Sequence, residues 1–417
     1  MRRPRFQSRP LFRSFAKGSR QNTRKLSSFL LKISQKDVIL DYVQLRIGCF
    51  HFLLKALPKG SYVATSCYTI FDMVNVIINA GHIPYFVDID KENLGPNVDE
   101  LIDLIKSQKV QAVIYTYLHG YKEDLTRLAE CCKANNCILI EDCAQSLWNT
   151  TWDSNGITPG SYGDAAIFSS GFFKNINTIN GGHLVFKKDA NFANNIINSH
   201  KSLKHKVTFD FIYRTVYAVL FKLFTTDLVF NFILFPVLQV SWAKNFVWMN
   251  KRAREENNPK YIKRDESNII KMNLLQKFLF KYQNQEALDR DYYKKSKLAD
   301  IYLLELKELI DKNIISIPGL KEKNGIYSLK GTSSYNQIPV LALKRKLLLD
   351  FLIAEGFDIA AQHIRNLSET PPYDNYQSNE VKVTNDVINK IVLLPCYPNY
   401  PEKNIFELCK KIKKFYA

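Results

Sequence analysis

Between residues 60 and 190, short β-rich runs alternate with stretches whose apolar positions recur every third or fourth residue, and this alternation leaves few folds open. The runs are SYVATS (61–66), IPYFVDI (83–89), AVIYTYL (112–118), CILIED (137–142), AAIFSS (165–170) and GGHLVF (181–186), and they read as strands. FDMVNVIINAG (71–81), NVDELIDLIKS (97–107) and EDLTRLAECCKANN (123–136) read as the helices between them. Several strands are apolar throughout, as expected of a sheet covered on both faces. Strand–helix–strand order with short connections predicts an α/β fold built on a mainly parallel sheet flanked by helices.

Residues 207–250 break the pattern with FIYRTVYAVLFKLF, LVFNFILFPVLQVSWA and NFVWMN. A membrane-crossing helix needs about 20 apolar residues without charge. Arg214, Lys222, Asp227 and Pro236 interrupt the run, so a buried or membrane-surface helical hairpin is expected instead. Residues 251–267 read as a polar linker, followed by a long helix at about 272–310. From 314 onward, short strands, a helix at 347–356 and a basic final helix after 401–404 suit a smaller α+β domain. The expected units are a basic N-terminal arm (1–36), a large α/β domain (37–206), an apolar insertion with its linker (207–262), and the long helix with the small C-terminal domain (263–417).

The net charge of +18 would suggest a nucleic-acid partner if it were spread over the chain. Residues 1–36 hold eleven Lys/Arg and no acid, which leaves 47 bases against 40 acids in the remainder. The basicity is therefore mainly a tail, and no helix-turn-helix or aromatic RNA platform accompanies it; no nucleic-acid partner is expected. The start of the chain is Arg- and Ser-rich and lacks the apolar core of a secretory signal; a solvated arm, a surface-binding arm and an organellar transit peptide all fit it. The eight cysteines form no C-x-x-C and no Cys/His ligand array, so they read as small buried side chains in a reducing, cytoplasmic setting, and no metal site is expected.

Ligands of α/β sheets gather at the carboxyl ends of the strands. IEDCAQS puts Asp142 at such an end, with Gln145 three residues on. Lys174 follows in IFSSGFFKN, five residues after Ser169, and Gly181-Gly182 opens the next strand. No G-x-G-x-x-G opens a helix, and neither a Walker A nor an H-E-x-x-H sequence is present, which excludes those nucleotide and zinc readings. Taken singly, Asp142 could cap a helix and Lys174 could be a solvated loop lysine. Taken together, a strand-end carboxylate and a lysine among apolar residues are what pyridoxal phosphate chemistry requires. The amine condenses with the cofactor aldehyde, and the carboxylate keeps the pyridine nitrogen protonated so that the ring accepts electrons.

YTIFDMVNVIINAGHIPYFVDID, TYLHGYKEDL, ILIEDCAQS, IFSSGFFKN, NGGHLVF and IVLLPCYPN occur in the order found in the DegT/DnrJ/EryC1/StrS sugar aminotransferases, a family the chain resembles over about 40–200 and from about 265 to its end. The resemblance implies the type I (aspartate-aminotransferase-like) pyridoxal phosphate fold and a homodimer. It also implies transfer of an amino group, usually from glutamate, to a nucleotide-linked keto-sugar in polysaccharide or glycoconjugate biosynthesis. It makes Lys174 the cofactor-attaching lysine and Asp142 the pyridinium partner. Gln145 stands beside the cofactor's phenolic oxygen, and Ser169 supplies a hydroxyl to its phosphate. Relatives with histidine at the lysine position act as dehydratases; Lys174 argues against that branch.

Four positions depart from the family pattern. The small-residue phosphate cup falls at Arg46-Ile47-Gly48-Cys49, where backbone N–H of Ile47 and Gly48 could still serve at a helix N-terminus. The ring-stacking aromatic falls at Ile70, with Tyr68 and Phe71 alongside. Tyr117 stands where histidine is common, and His119 takes the neighbouring aromatic position. The asparagine offered from a partner subunit aligns with Ile269, next to Asn268. His119, Asn268 and His363 are the candidates for substrate contact. The alternative is a catalytically weakened relative that binds the cofactor or a ligand and acts in regulation. A peripheral contact with the inner face of a membrane, through the arm and 207–250, is a further expectation.

Overall fold

The computed structural model describes residues 23–121, 123–146, 158–172, 174–224, 259–283, 285–329, 337–357, 359–361 and 364–417, with isolated positions between 226 and 240. The chain enters through α1 (Thr23–Ser34), β1 (Val38–Tyr42) and α2 (Leu45–Ala56). Alternating strands and helices follow: β2 (Tyr62–Ser66), α3 (Phe71–Asn79), β3 (Ile83–Val87), α4 (Val98–Lys106), β4 (Ala112–Thr116), α5 (Thr126–Ala134) and β5 (Ile138–Asp142). β6 (Ala165–Ser169), β7 (Gly182–Phe186), α6 (Ala193–Ser202) and α7 (Phe209–Phe224) complete the large domain.

All six expected strands and all three expected helices of 60–190 are present. β3, β2, β4, β5 and β6 run parallel, while β7 is antiparallel to both β6 and β1. The full order is β1-β7-β6-β5-β4-β2-β3-β13, the last being Gln377–Ser378 from the C-terminal region. One apolar layer (Leu101, Ile105, Val113, Leu139, Phe168) packs α4, α5 and α1 against one face of the sheet. The other (Phe50, Leu53, Ile77, Ile140, Leu184) packs α2 and α3 against the opposite face.

The arm expected over 1–36 overlaps folded structure. Leu26, Leu30 and Ile33 of α1 are buried in the large-domain core. Each such side chain contributes on the order of 1.5–3 kcal/mol of apolar burial, enough to draw a basic helix onto the sheet. Lys36, at the end of the same segment, is buried and donates to the carbonyl oxygens of Ser161 and Gly163. The cysteines are free and, apart from half-buried Cys131, buried.

The long helix expected at 272–310 arrives as two, α8 (Leu274–Lys281) and α9 (Gln285–Asp311). β8 (Ile315–Ser316), β9 (Leu320–Lys323), β10 (Ile326–Leu329), β11 (Gln337–Ala342), α10 (Arg345–Ala354), β12 (Ala360–Ala361), α11 (Val383–Lys390), β14 (Ile391–Pro395) and α12 (Glu402–Tyr416) form the small domain around an antiparallel β12-β14-β11-β8 sheet. The two domains are tied by polar as well as apolar contacts. Asp88, just beyond β3, accepts from the N–H of Lys382 and Val383 (2.7 Å each) and of Thr384 (2.9 Å), so a carboxylate of the large domain caps the small-domain helix α11.

Among the described residues no helix is long and apolar enough to cross a membrane. Within the expected insertion, α7 lies against the large domain through Phe211 and Ala218, and much of its remaining surface is apolar and exposed. The segment after the insertion is strapped along α3. Asn75 Nδ2 donates to Lys260 O (3.0 Å), Asn79 Nδ2 donates to Ile262 O (2.8 Å), and Tyr373 donates to both Asn75 Oδ1 (2.7 Å) and Lys260 O (2.9 Å).

Candidate active site

Register places the chemistry. Asp142, the last residue of β5, is paired with Thr116 of β4 on one side and Ile167 of β6 on the other. Ser169, the last residue of β6, is paired with Gly182, which also faces Tyr42 of β1. Gly182 is required by space: a Cβ there would lie 2.2 Å from the backbone nitrogen of Leu45, at the start of α2. The carboxyl edge of the sheet thus collects Asp142, Thr116 and Ser169, with the start of α2 packed against it.

Lys174 is carried on the loop between β6 and β7, whose neck is closed by hydrogen bonds. Ser170 N donates to Gly181 O (3.0 Å), Thr178 N donates to Ser170 O (2.8 Å), and the two hydroxyls of Ser170 and Thr178 meet at 2.9 Å. Inside the loop, Lys174 N donates to Gly171 O (3.0 Å) and Asn177 Nδ2 to Phe172 O (2.8 Å). Lys295 of α9 donates to Asn175 Oδ1 (2.9 Å) and holds the loop from beneath. Apolar strand, closed neck and presented lysine are all local consequences of AAIFSSGFFKNINTINGG.

Asp142 is buried, and burial pushes its carboxyl up to about 6 against the pull of the Ala144 N–H (3.0 Å) and of the charges on Lys174 and Arg46. Burial likewise pulls the Lys174 ammonium down to about 8, opposed by Asp142 and assisted by Arg46. The acid and the amine therefore share one enclosed space, each easing the other's charge. Lys295 is also brought down to about 8 by burial, but the acidic groups that act on it are Cys396 and Asp291, not Asp142.

The other sequence candidates are placed as follows. Gln145 is half-buried in the turn after β5, and Ser169 is half-buried with its Oγ accepting from Gly171 N (3.4 Å). Ile70 is the N-cap of α3 and is exposed. Ile47 and Gly48 lie in the first turns of α2, with a difference from the expectation: Gly48 N–H is taken by Gln44 O (3.3 Å), so it is not free to receive a phosphate, whereas Ile47 stands among the first-turn amides. The Ile47 side chain is core. His119 lies face to face with Tyr68 (6.3 Å between rings). Burial pulls its imidazole down to about 4, and its Nε2 has no hydrogen-bond partner. Asn268 is exposed and accepts from Asp265 N (2.9 Å) in a capping box; it joins none of the residues above. His363 lies outside the described residues. Among the described residues no group of His, Cys, Asp or Glu is placed to hold a metal ion.

Reasoning from sequence missed an ionic cluster at the same edge. Asp72, at the start of α3, is buried and receives both Arg46 of α2 and Arg264 from the strap (Nη1–Oδ1 2.6 Å), and the two guanidinium groups hold its carboxyl below the usual range against the opposing effect of burial. Arg264 lies 192 residues from Asp72, so no local pattern could have announced the pairing.

Pyridoxal phosphate fits these residues. A buried carboxylate with no permanent cation bonded to it suits a pyridinium N–H, and a half-buried lysine whose amine is lowered to about 8 suits an aldehyde. The Thr69 hydroxyl and His119 Nε2 are buried polar atoms without hydrogen-bond partners near this edge.

The DegT/DnrJ/EryC1/StrS aminotransferase family matches residues 49–223 and 260–413, and the chain belongs to that family. The match reaches to within one residue of the end of α7, so of the expected insertion 207–262 only 224–259 stands outside it. A GDP-perosamine synthase of Vibrio cholerae is 30% identical over 141 residues, 33% of this chain and 37% of that protein, so the aligned part spans little more than a third of the relative. The Helicobacter pylori aminotransferase PseC, involved in pseudoaminic acid biosynthesis, superposes with a TM-score of 0.68 over 99% of both chains at 16% identity. An Escherichia coli GDP-4-keto-6-deoxy-D-mannose-3-dehydratase with bound hydrated PLP also gives 0.68, over 98% of this chain and 99% of its own, at 15% identity. One fold thus serves transamination and dehydration, and the residues must decide between them.

A lysine lowered to about 8 is protonated and unreactive below that value. Capture of pyridoxal by the cofactor-free protein should therefore rise as pH rises through about 8, not through the ordinary lysine value near 10.4. Asp142→Asn removes the attraction that favours the ammonium and should move the midpoint down; Arg46→Gln removes a repulsion and should move it up. Borohydride trapping across pH measures all three, and an unshifted lysine midpoint would contradict this electrostatic account.

Proposed function

We propose that the protein is a pyridoxal-phosphate-dependent aminotransferase that moves an amino group, with glutamate as donor, to a nucleotide-linked keto-sugar in glycoconjugate biosynthesis. The observation that carries this reading is the Asp142–Lys174 pair, enclosed together at the carboxyl edge of the sheet. Bound there, the cofactor would supply an electrophilic aldehyde and a ring that accepts an electron pair. Asp142 holds a proton on the ring nitrogen, because a buried anion is most favourable beside a cation. Lys174 would hold the group through its amine and would be the base available to take a proton from the donor amine. The closed neck of the 170–181 loop fixes the backbone that presents this lysine. The histidine that would mark the dehydratase branch is absent; Lys174 occupies its position.

The apolar face of α7 (Phe209, Ile212, Val216) continues into that of α8 (Leu274, Leu275, Phe278), because Phe211, Leu279 and Ile179 pack the two helices together. A contiguous exposed patch of this kind needs a cover, and we assign it to a second copy of the chain: Phe172, two residues from Lys174, packs on Tyr217 and Phe221 of α7, so the face adjoins the site. Residues 1–22 and the apolar stretch beyond α7 would hold this dimer against an anionic membrane surface, at about 1 kcal/mol per base close to the leaflet.

Glutamate added to the purified holoprotein should convert the lysine-linked cofactor spectrum to that of pyridoxamine phosphate. Asp142→Asn should keep the cofactor and lose at least ~100-fold in the rate of that conversion. A spectrum indifferent to glutamate, or near-normal conversion in the variant, would overturn the reading. Sedimentation should give a dimer that Val216→Asp dissociates, and flotation with anionic vesicles should weaken as salt rises; a wild-type monomer, or failure to float at low salt, would remove the respective assignment.

A further inference from the structure

The family's phosphate cup is missing from the sequence, and the structure puts something else at that place. Arg46 is the second residue of α2 and Asp72 the second residue of α3. Neither helix is capped by its own N-cap side chain. Gln44 instead sends its Nε2 to Asp210 Oδ2 of α7 (2.7 Å), and Ile70 has no side-chain acceptor to offer. The first-turn amides of both helices thereby lack a side-chain acceptor from the N-cap and keep their partial positive charge, although Met73 N–H is taken by Ile70 O (2.8 Å). Asp72 is deeply buried, Arg264 nearly so at 11% side-chain exposure, while Arg46 is 35% exposed. Two guanidinium groups on one carboxylate leave a net charge of about +1. Arg46 uses Nη1 toward Asp72, and a guanidinium has five donors in a rigid fork, so it keeps donors for a second anion. The hydroxyl of Thr69, on the residue before the α3 N-cap, is 2% exposed by residue and has no hydrogen-bond partner.

We propose that Arg46, held by Asp72 and backed by Arg264, binds the phosphate of the cofactor together with the first-turn amides of α2 and α3 and the Thr69 hydroxyl, taking over the task of the family's absent small-residue cup. This rests on the cofactor assignment made above. Two further observations support it. The charge of Arg46 is felt by both Asp142 and Lys174, so the guanidinium held at the start of α2 stands within electrostatic reach of that pair. The RIGC sequence also brings a guanidinium to this place, and a charge-assisted Arg–phosphate contact is about twice as strong as a neutral one. Asp72 fixes the fork in place, and Arg264 keeps that carboxylate from cancelling the fork's charge. Because Arg264 sits on the strap that follows the insertion, the proposal also ties that segment to cofactor retention.

The test compares pyridoxal phosphate with pyridoxal, which lacks the phosphate, by equilibrium titration of the cofactor-free full chain, with GDP and UDP as separate probes. Arg46→Gln should weaken pyridoxal phosphate about tenfold to a hundredfold and leave pyridoxal within about twofold. Asp72→Asn removes the carboxylate that fixes the fork, so it should lower the melting temperature and weaken pyridoxal phosphate while leaving pyridoxal within about twofold. Equal losses for both aldehydes in Arg46→Gln, or no loss for either, would overturn the proposal. So would an effect on GDP or UDP alone, which would transfer the cluster to the substrate's diphosphate. A wild-type chain that binds neither aldehyde would instead remove the cofactor assignment on which this stands, and that outcome is distinct from a wild type that binds normally and an Arg46 variant that does the same.

Discussion

Burying an acid and an amine in one small space is costly unless each relieves the other, and the architecture of this protein is arranged around that cost at Asp142 and Lys174. Both groups are displaced from their ordinary values: the carboxyl is raised to about 6 and the ammonium lowered to about 8. Such displacement persists only where the backbone leaves no other choice. Asp142 is locked between Thr116 and Ile167 by strand register, and Lys174 by a loop closed at Ser170, Thr178 and Gly181. In the reading proposed here, that arrangement would suit a ligand that brings a ring cation to the acid and an aldehyde to the amine.

The neighbouring carboxylate shows how sharply the strand separates structure from chemistry. Glu141 and Asp142 are adjacent on β5 and so point to opposite faces of the sheet. Glu141 is fully used: it accepts from Tyr117 Oη (2.7 Å), Gly160 N (2.7 Å) and Gly163 N (2.6 Å), which pins the chain just before β6. That bond also explains Tyr117, which replaces a common histidine and is fully committed to holding Glu141. Asp142, with one backbone N–H and no bonded cation, is the acid left available for work.

Much of this was legible in the sequence because it is written locally. The alternation of 60–190 gave the correct strands and helices, and the spacing of Asp142, Ser169 and Lys174 marked the carboxyl edge. α2 was not legible: LRIGCFHFLLKA is apolar on every side, with Leu45, Ile47 and every residue from Gly48 to Leu53 buried, and a helix covered all round shows no amphipathic period. The antiparallel course of β7 was hidden because a five-residue apolar strand reads the same in either direction. α1 was masked by its own basicity, although Leu26, Leu30 and Ile33 already lay on one helical face. The Arg46–Asp72–Arg264 cluster joins residues far apart in the chain, and no periodicity reports a contact of that kind.

The assignment of chemistry to this edge rests on which lysine takes the cofactor, and the protein contains its own control. Lys295 is buried more deeply than Lys174 and equally lowered to about 8, but it is bonded to Asn175 and lies away from the influence of Asp142. If a lowered amine were enough, either lysine could react; if the amine must share its space with the strand-end acid, only Lys174 can. Borohydride reduction of the holoprotein followed by peptide mapping separates the two. The account predicts the reduced cofactor on Lys174 alone; finding it on Lys295, or on any lysine outside the 170–181 loop, would contradict it.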